Sequence, residues 1–174
     1  MPVNLDFREK VSTSGGYKST SQQTLNVTTG GSYSNNAYVG TSGSPMIFPG
    51  AGRGQGGAGD IQTAVLTDMQ GRQANLELWL FSTQVTPPAD KAPFLISNSD
   101  LTYCVGVLPF QTYFACQTSG STNAAVCLAE PTQIVSFKCA SGDSNLYGCV
   151  VNRSAAAPSF ASGSMGVLLT LRQD

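Results

Sequence analysis

The chain is 174 residues long, carries a net charge of −1 and contains no histidine. Only 11% of its residues are charged, against roughly 25% in an ordinary soluble protein, so Ser, Thr, Gly, Asn and Gln must carry its solubility. The nine basic residues form no stripe, which argues against nucleic acid as a partner, and no apolar run approaches the roughly 20 residues that a membrane span needs.

The segment Met1–Lys10 has no apolar signal-peptide core, so the product is expected to be used without secretion. Residues 1–32 read as an extended N-terminal arm. Asp6–Lys10 is charged and suits a short helical turn, and Ser12–Gly16 is a turn-prone break. Gln22–Thr28 alternates Gln23, Leu25 and Val27 with Thr24, Asn26 and Thr28, the pattern of an exposed or partner-completed strand. An arm of this kind orders on a partner and adds little to the body's own fold.

Residues 33–174 read as the body. No stretch keeps helical apolar spacing without Gly or Pro interrupting, and the 19 glycines and nine prolines punctuate short strands. Strands are expected near 37–39, 46–48, 61–69, 75–82, 101–108, 113–117, 134–138, 146–151 and 166–172. In the fourth, Leu76, Leu78 and Leu80 share one face and Glu77, Trp79 and Phe81 the other. An aromatic pair beside a glutamate predicts that the second face lies near an interface or a sheet edge. Between the second and third strands, Pro49–Gly59 is glycine-rich. It lacks the Gly-Lys-Ser/Thr ending of a phosphate loop and reads as a mobile connection. Gly142–Asn145 reads as a turn rather than a calcium loop. The sum is an all-β chain, a jelly-roll-like β-sandwich.

Chemistry is sparse in this sequence. Without histidine there is no Ser-His-Asp or Cys-His arrangement, and the carboxylates Asp60, Asp68, Glu77, Asp90, Asp100, Glu130 and Asp143 stand singly. Cys104, Cys116, Cys127, Cys139 and Cys149 have none of the close pairing of zinc ligands and are expected to be thiols, several of them small buried apolar groups. Neither an enzyme nor a cofactor or metal is expected. Trp79, Tyr103 and Tyr147 are the aromatics that a carbohydrate-binding face would use, and all three are expected in the core.

The order of small motifs resembles that of tailed-bacteriophage head decoration (cement) proteins. The motifs are Asp68 inside a strand, Leu76–Phe81, Asp90–Phe94, Ser99-Asp100, Leu146-Tyr147-Gly148 and the closing Leu169–Asp174. The likeness covers roughly residues 33–174, with Lys91 where the pattern has Asn. It implies a homotrimer on the outer surface of an icosahedral head, assembled in the host cytoplasm, that bridges neighbouring major capsid proteins. In such a protein the arm would reach the capsid. Phe7, Tyr17, Leu25 and Val27 would be its apolar anchors, and Arg8, Lys10 and Lys18 would pair with capsid acids. The alternatives are another virion structural or host-binding protein, such as a head-fibre base or tail receptor binder, and a carbohydrate-binding jelly-roll module.

Overall fold

The computed structural model describes residues 16–20, 22–28, 30–118, 121–129, 131 and 133–174. They form a β-sandwich of two antiparallel sheets. The first sheet contains β1 (Gly16–Ser19), β2 (Gln23–Thr24), β5 (Ala58–Asp68), β8 (Tyr113–Thr118), β9 (Ser121–Ala129), β10 (Val135–Lys138) and β12 (Met165–Gln173). Its order is β1-β12-β5-β9-β8, with β2 also pairing β12 and β10 pairing β5. The second contains β3 (Tyr38–Val39), β4 (Met46–Phe48), β6 (Leu76–Phe81), β7 (Cys104–Phe110) and β11 (Leu146–Asn152), in the order β3-β11-β6-β7 with β4 on β11.

The core lies between the sheets. Leu76, Leu78 and Leu80 of β6 meet Leu66 of β5 and Val167 and Leu169 of β12 in one buried cluster. Burial of each such leucine contributes about 1.5–3 kcal/mol. Every residue of β11 is buried, because its two faces serve two clusters. Leu146 and Val150 join the main core. Tyr147, Cys149 and Val151 join a second cluster with Tyr38, Phe81, Val85 and Phe94. The long connection after β6 creates that second cluster by folding back over the outer face of its own sheet. Backbone bonds hold it there: Tyr38 N donates to Ala92 O at 2.9 Å, Lys91 N to Tyr38 O at 3.0 Å and Phe94 N to Asn36 O at 2.7 Å.

The expected boundary at residue 32 does not hold. β1 pairs with β12 from Gly16↔Gln173 to Ser19↔Thr170, and Gln23 and Thr24 pair with Val167 and Gly166. Leu25 and Val27 are buried in the main core. Leu25 N donates to Met165 O at 2.9 Å and Gly163 N to Leu25 O at 3.1 Å, which holds this segment against the body beyond β2. Only Gln23–Thr24 of the expected 22–28 strand is paired.

Other departures have local causes. The strand expected from Leu101 starts at Cys104, because Asn98–Leu101 forms one helical turn (α1). Ser97 caps it, its Oγ accepting from Asp100 N at 3.0 Å. β9 has no counterpart among the expected strands. Its Ser-Thr-Asn-Ala-Ala opening has low strand propensity, and pairing with β5 and β8 on its two sides overrides that. The glycine-rich loop is anchored along its length: Gly52 N donates to Ser144 O, Gly56 N to Asp143 O, and Cys139 N to Gly57 O. Gln173 Nε2 donates to both Gly50 O and Ala51 O at 2.8 Å. Glycine is needed at position 57, where a Cβ would stand 2.8 Å from Gly54 O.

Candidate functional site

The outer face of the second sheet carries the most developed surface feature. β6 places Glu77, Trp79 and Phe81 on that face, as the alternation requires. It is a central strand between β11 and β7, so the face is not at a sheet edge. The connection after β6 covers Phe81 completely and Trp79 in part. Phe94 packs on Trp79 with ring centroids 5.4 Å apart and on Tyr38 at 6.4 Å. What stays open is a groove of about 250 Å³ lined by Asn36, Trp79, Phe94, Leu95, Ile96, Leu101 and Arg153. Leu95 is 74% exposed and Leu101 48%, so two leucines stand at its rim.

One side of the groove is a polar network. Arg153 Nε donates to Glu77 Oε2 at 2.8 Å and Arg153 Nη1 to Asn36 Oδ1 at 2.7 Å. Trp79 Nε1 donates to the same Glu77 oxygen at 3.0 Å. The network ties Arg153, Glu77, Asn36 and Trp79 together and sets a polar wall beside an apolar floor. An apolar floor rimmed by polar groups is the make-up of a protein-docking surface. Of the other aromatics singled out in the sequence, Tyr147 is buried but Tyr103 is 44% exposed, contrary to the expectation that it lies in the core.

A second apolar surface lies on the outer face of the first sheet. Leu168, Val65 and Leu128 stand directly opposite one another on β12, β5 and β9. Phe114 and Val126 stand opposite one another across β8 and β9 on the same face. Phe114 is 60% exposed and Leu128 48%. A third feature, a groove of about 230 Å³ between Gln23–Asn26 and Ser44–Ile47, is mostly polar.

Of the sequence-expected arm contacts, Lys18, Leu25 and Val27 have described side chains, and these are not gathered at one surface. Leu25 and Val27 are core residues and are not available as anchors. The Lys18 ammonium donates to Gly50 O at 2.6 Å, so it ties down the glycine-rich loop. Tyr17 lies in β1 by its backbone; its side chain, like Phe7, Arg8 and Lys10, lies outside the described part of the structure. The groove leucines were missed because Leu95 and Leu101 flank Ile-Ser-Asn-Ser-Asp, a short polar segment with no strand alternation.

The titratable groups serve the fold. The Ser136 hydroxyl, at 2.7 Å, and then Arg172 hold the Asp60 carboxyl below its ordinary value, against the effect of burial. Burial works against ionisation of Asp143, but the Tyr147 hydroxyl, at 2.5 Å, and nearby backbone N–H groups outweigh it and lower its pKa. Asn145 N donates to Asp143 Oδ1 at 3.0 Å, which makes Gly142–Asn145 the turn that the sequence suggests. Burial pushes the Cys149 thiol up to about 12, and burial also raises Cys104, Cys127 and Cys139. Among the described residues no three His, Cys, Asp or Glu side chains cluster as metal ligands, and no helix is long and apolar enough to cross a membrane. No protein-family model, curated protein or solved structure matches the chain.

Proposed function

We propose that this protein is a structural component of a tailed-phage virion that docks on the outer surface of the head and cements neighbouring major capsid proteins. The observation that carries the reading is the groove beside Trp79, with Leu95 and Leu101 exposed at its rim and a polar network along one side. Exposed leucines beside a desolvated aromatic pair are the usual make-up of a protein-docking anchor. Two of the motifs that carry the resemblance, Leu76–Phe81 and Asp90–Phe94, build this groove and the connection above it. The reading includes a jelly-roll-like strand connection, a homotrimer, and a location on the outer head surface. Many copies per head would supply avidity that one modest interface lacks. The arm's part in attachment shrinks to residues before Gly16, and the groove becomes the main capsid contact.

The test is binding of purified protein to heads that lack it, from the phage carrying the gene. Wild type is expected to decorate such heads in electron micrographs. The Leu95→Asp/Leu101→Asp variant is expected to fold normally and bind at least tenfold more weakly, as about 1.4 kcal/mol corresponds to each factor of ten. Equal decoration by both proteins sinks the groove as the contact. No decoration by wild type sinks the function, and retention on a glycan array would then favour the carbohydrate-binding alternative.

A further inference from the structure

The first sheet ends in an edge strand that has little protection. β8 forms the outer limit of the sheet, and among the described residues only β9 pairs with it. Natural edges are blunted by charge, proline, shortness or bulges. β8 has the sequence Tyr-Phe-Ala-Cys-Gln-Thr, with no charge and no proline over six residues. Its one irregularity falls between Cys116 and Thr118, which leaves Tyr113–Cys116 regular. The other edges among the described residues are different: β7 carries Pro109, β1 carries Lys18, β10 carries Lys138, and β2, β3 and β4 have only two or three residues. Beneath β8 the cover is also incomplete. Tyr113 packs on the main core, yet Ala115, two residues along on the same face, is exposed.

The chain holds one segment with the complementary pattern. Residues 1–15 lie outside the described structure, and within them Val3, Leu5 and Phe7 alternate with Asn4, Asp6 and Arg8. Such a segment makes a strand with one apolar and one polar face, and Pro2 at its start has no N–H to place. It matches an edge position, where one face covers core and the other meets water.

We infer that residues 2–8 of one copy add as a strand to β8 of a neighbouring copy, with Val3, Leu5 and Phe7 over the core side and Asp6 on the outer side with Cys116. Reach decides for a neighbour. Tyr113 is level with Val167 through Cys127 and Leu66, whereas Gly16 is level with Gln173. From Gly16 the added strand therefore lies five strand spacings across the sheet and about six residues along it, or about 31 Å in a straight line. The eight steps from Arg8 to Gly16 span about 26–29 Å fully extended, and the path must pass over the sheet rather than through it. A donated strand of this kind makes a head-to-tail contact, which gives a ring where the rotation between copies closes, and its main-chain bonds supply affinity. The inference stands without the head-docking reading, because association is measured on the free protein.

Two measurements on the full chain test it. By light scattering, wild type is expected to associate at micromolar concentration, and the Leu5→Asp/Phe7→Asp variant to be monomeric with an unchanged circular-dichroism spectrum. In the Asp6→Cys variant, a short bismaleimide is expected to link chains into covalent multimers, and Cys116→Ser in that background to abolish them. A monomeric wild type overturns the inference, as does association that survives the double variant. Cross-linking within one chain overturns the neighbour as donor. Cross-linking of wild type through Cys116 alone, again with association intact in the double variant, would mean that two β8 edges pair directly.

Discussion

The Tyr33 hydroxyl donates to both carboxylate oxygens of Asp90 at 2.9 Å, which fastens the segment before β3 to the connection that covers the second sheet. Asp90 also accepts from Thr28 N at 2.7 Å and Gly40 N at 3.3 Å. Its neighbour Lys91, held at φ 68°, donates to Thr28 O at 2.9 Å and to Gly30 O, with its ammonium over the Tyr33 ring. Asp90→Ala strands the Tyr33 hydroxyl and two backbone N–H groups, and is expected to cost about 2–4 kcal/mol. Tyr33→Phe keeps the 5.2 Å ring contact with Phe160 and removes one hydroxyl, so about 1 kcal/mol is expected. Urea denaturation of the two variants checks the ratio; equal losses would mean that the carboxylate's other bonds contribute nothing.

Deletion of residues 1–15 is expected to leave the melting temperature of the free body within a few degrees of wild type. Deletion of residues 1–28 removes β1, β2, Leu25 and Val27 together. Loss of a single buried leucine side chain costs about 2–5 kcal/mol, a large share of a typical domain's stability. The longer deletion is therefore expected to be insoluble or molten. A sharp thermal transition in that protein would show that the first 28 residues are dispensable after all.

Thiol reactivity is expected to follow burial. Cys116 is exposed, Cys104 half-buried, and Cys127, Cys139 and Cys149 buried. At pH 8 a thiol reagent should label Cys116 first and Cys104 more slowly, because burial raises the latter's pKa. Cys149, pushed up to about 12 chiefly by burial, should react only after denaturation. Mass spectrometry of partially labelled protein reads the order, and early labelling at Cys149 would contradict it.

Acid stability follows from Asp60. Its folded pKa lies below its ordinary value of 3.8, because Ser136 and Arg172 stabilise the carboxylate. The stabilisation is thus fully present above about pH 4 and is lost as pH falls through the lower folded value. Asp60→Asn should lower stability at pH 7, and the gap to wild type should close in more acidic solution. Melting curves at pH 7, 5, 4 and 3 test this; a gap that widens toward pH 3 would reverse the sign.

Much of the fold was legible where alternation was strong. Leu76–Phe81 announced a two-faced strand, and both faces are occupied as its pattern requires. Leu25 and Val27 were misplaced because two apolar residues among Asn, Thr and Gly look the same whether they fill the end of a core or wait for a partner. The glycine-rich loop misled for a related reason. Composition reports how freely a backbone could move, whereas Gly52, Gly56 and Gly57 are held by carbonyl and amide partners distant in sequence. The groove was half visible: Glu77 and Trp79 marked the face, but the exposure of Leu95 and Leu101 depends on where the connection after β6 comes to rest.

The placement of β12 bears on how the chain is made. Of the described strands it is the last in sequence, yet it lies inside the first sheet, between β1 and β5. Until Met165–Gln173 emerges, β1 and β2 have nothing to pair with and one side of β5 stays open. The sandwich therefore cannot close until Met165–Gln173 has been made, and its assembly waits on contacts between segments far apart in sequence, the slow class of folding. A nascent chain stalled short of residue 165 would present β5, an eleven-residue strand, as a bare template for aggregation.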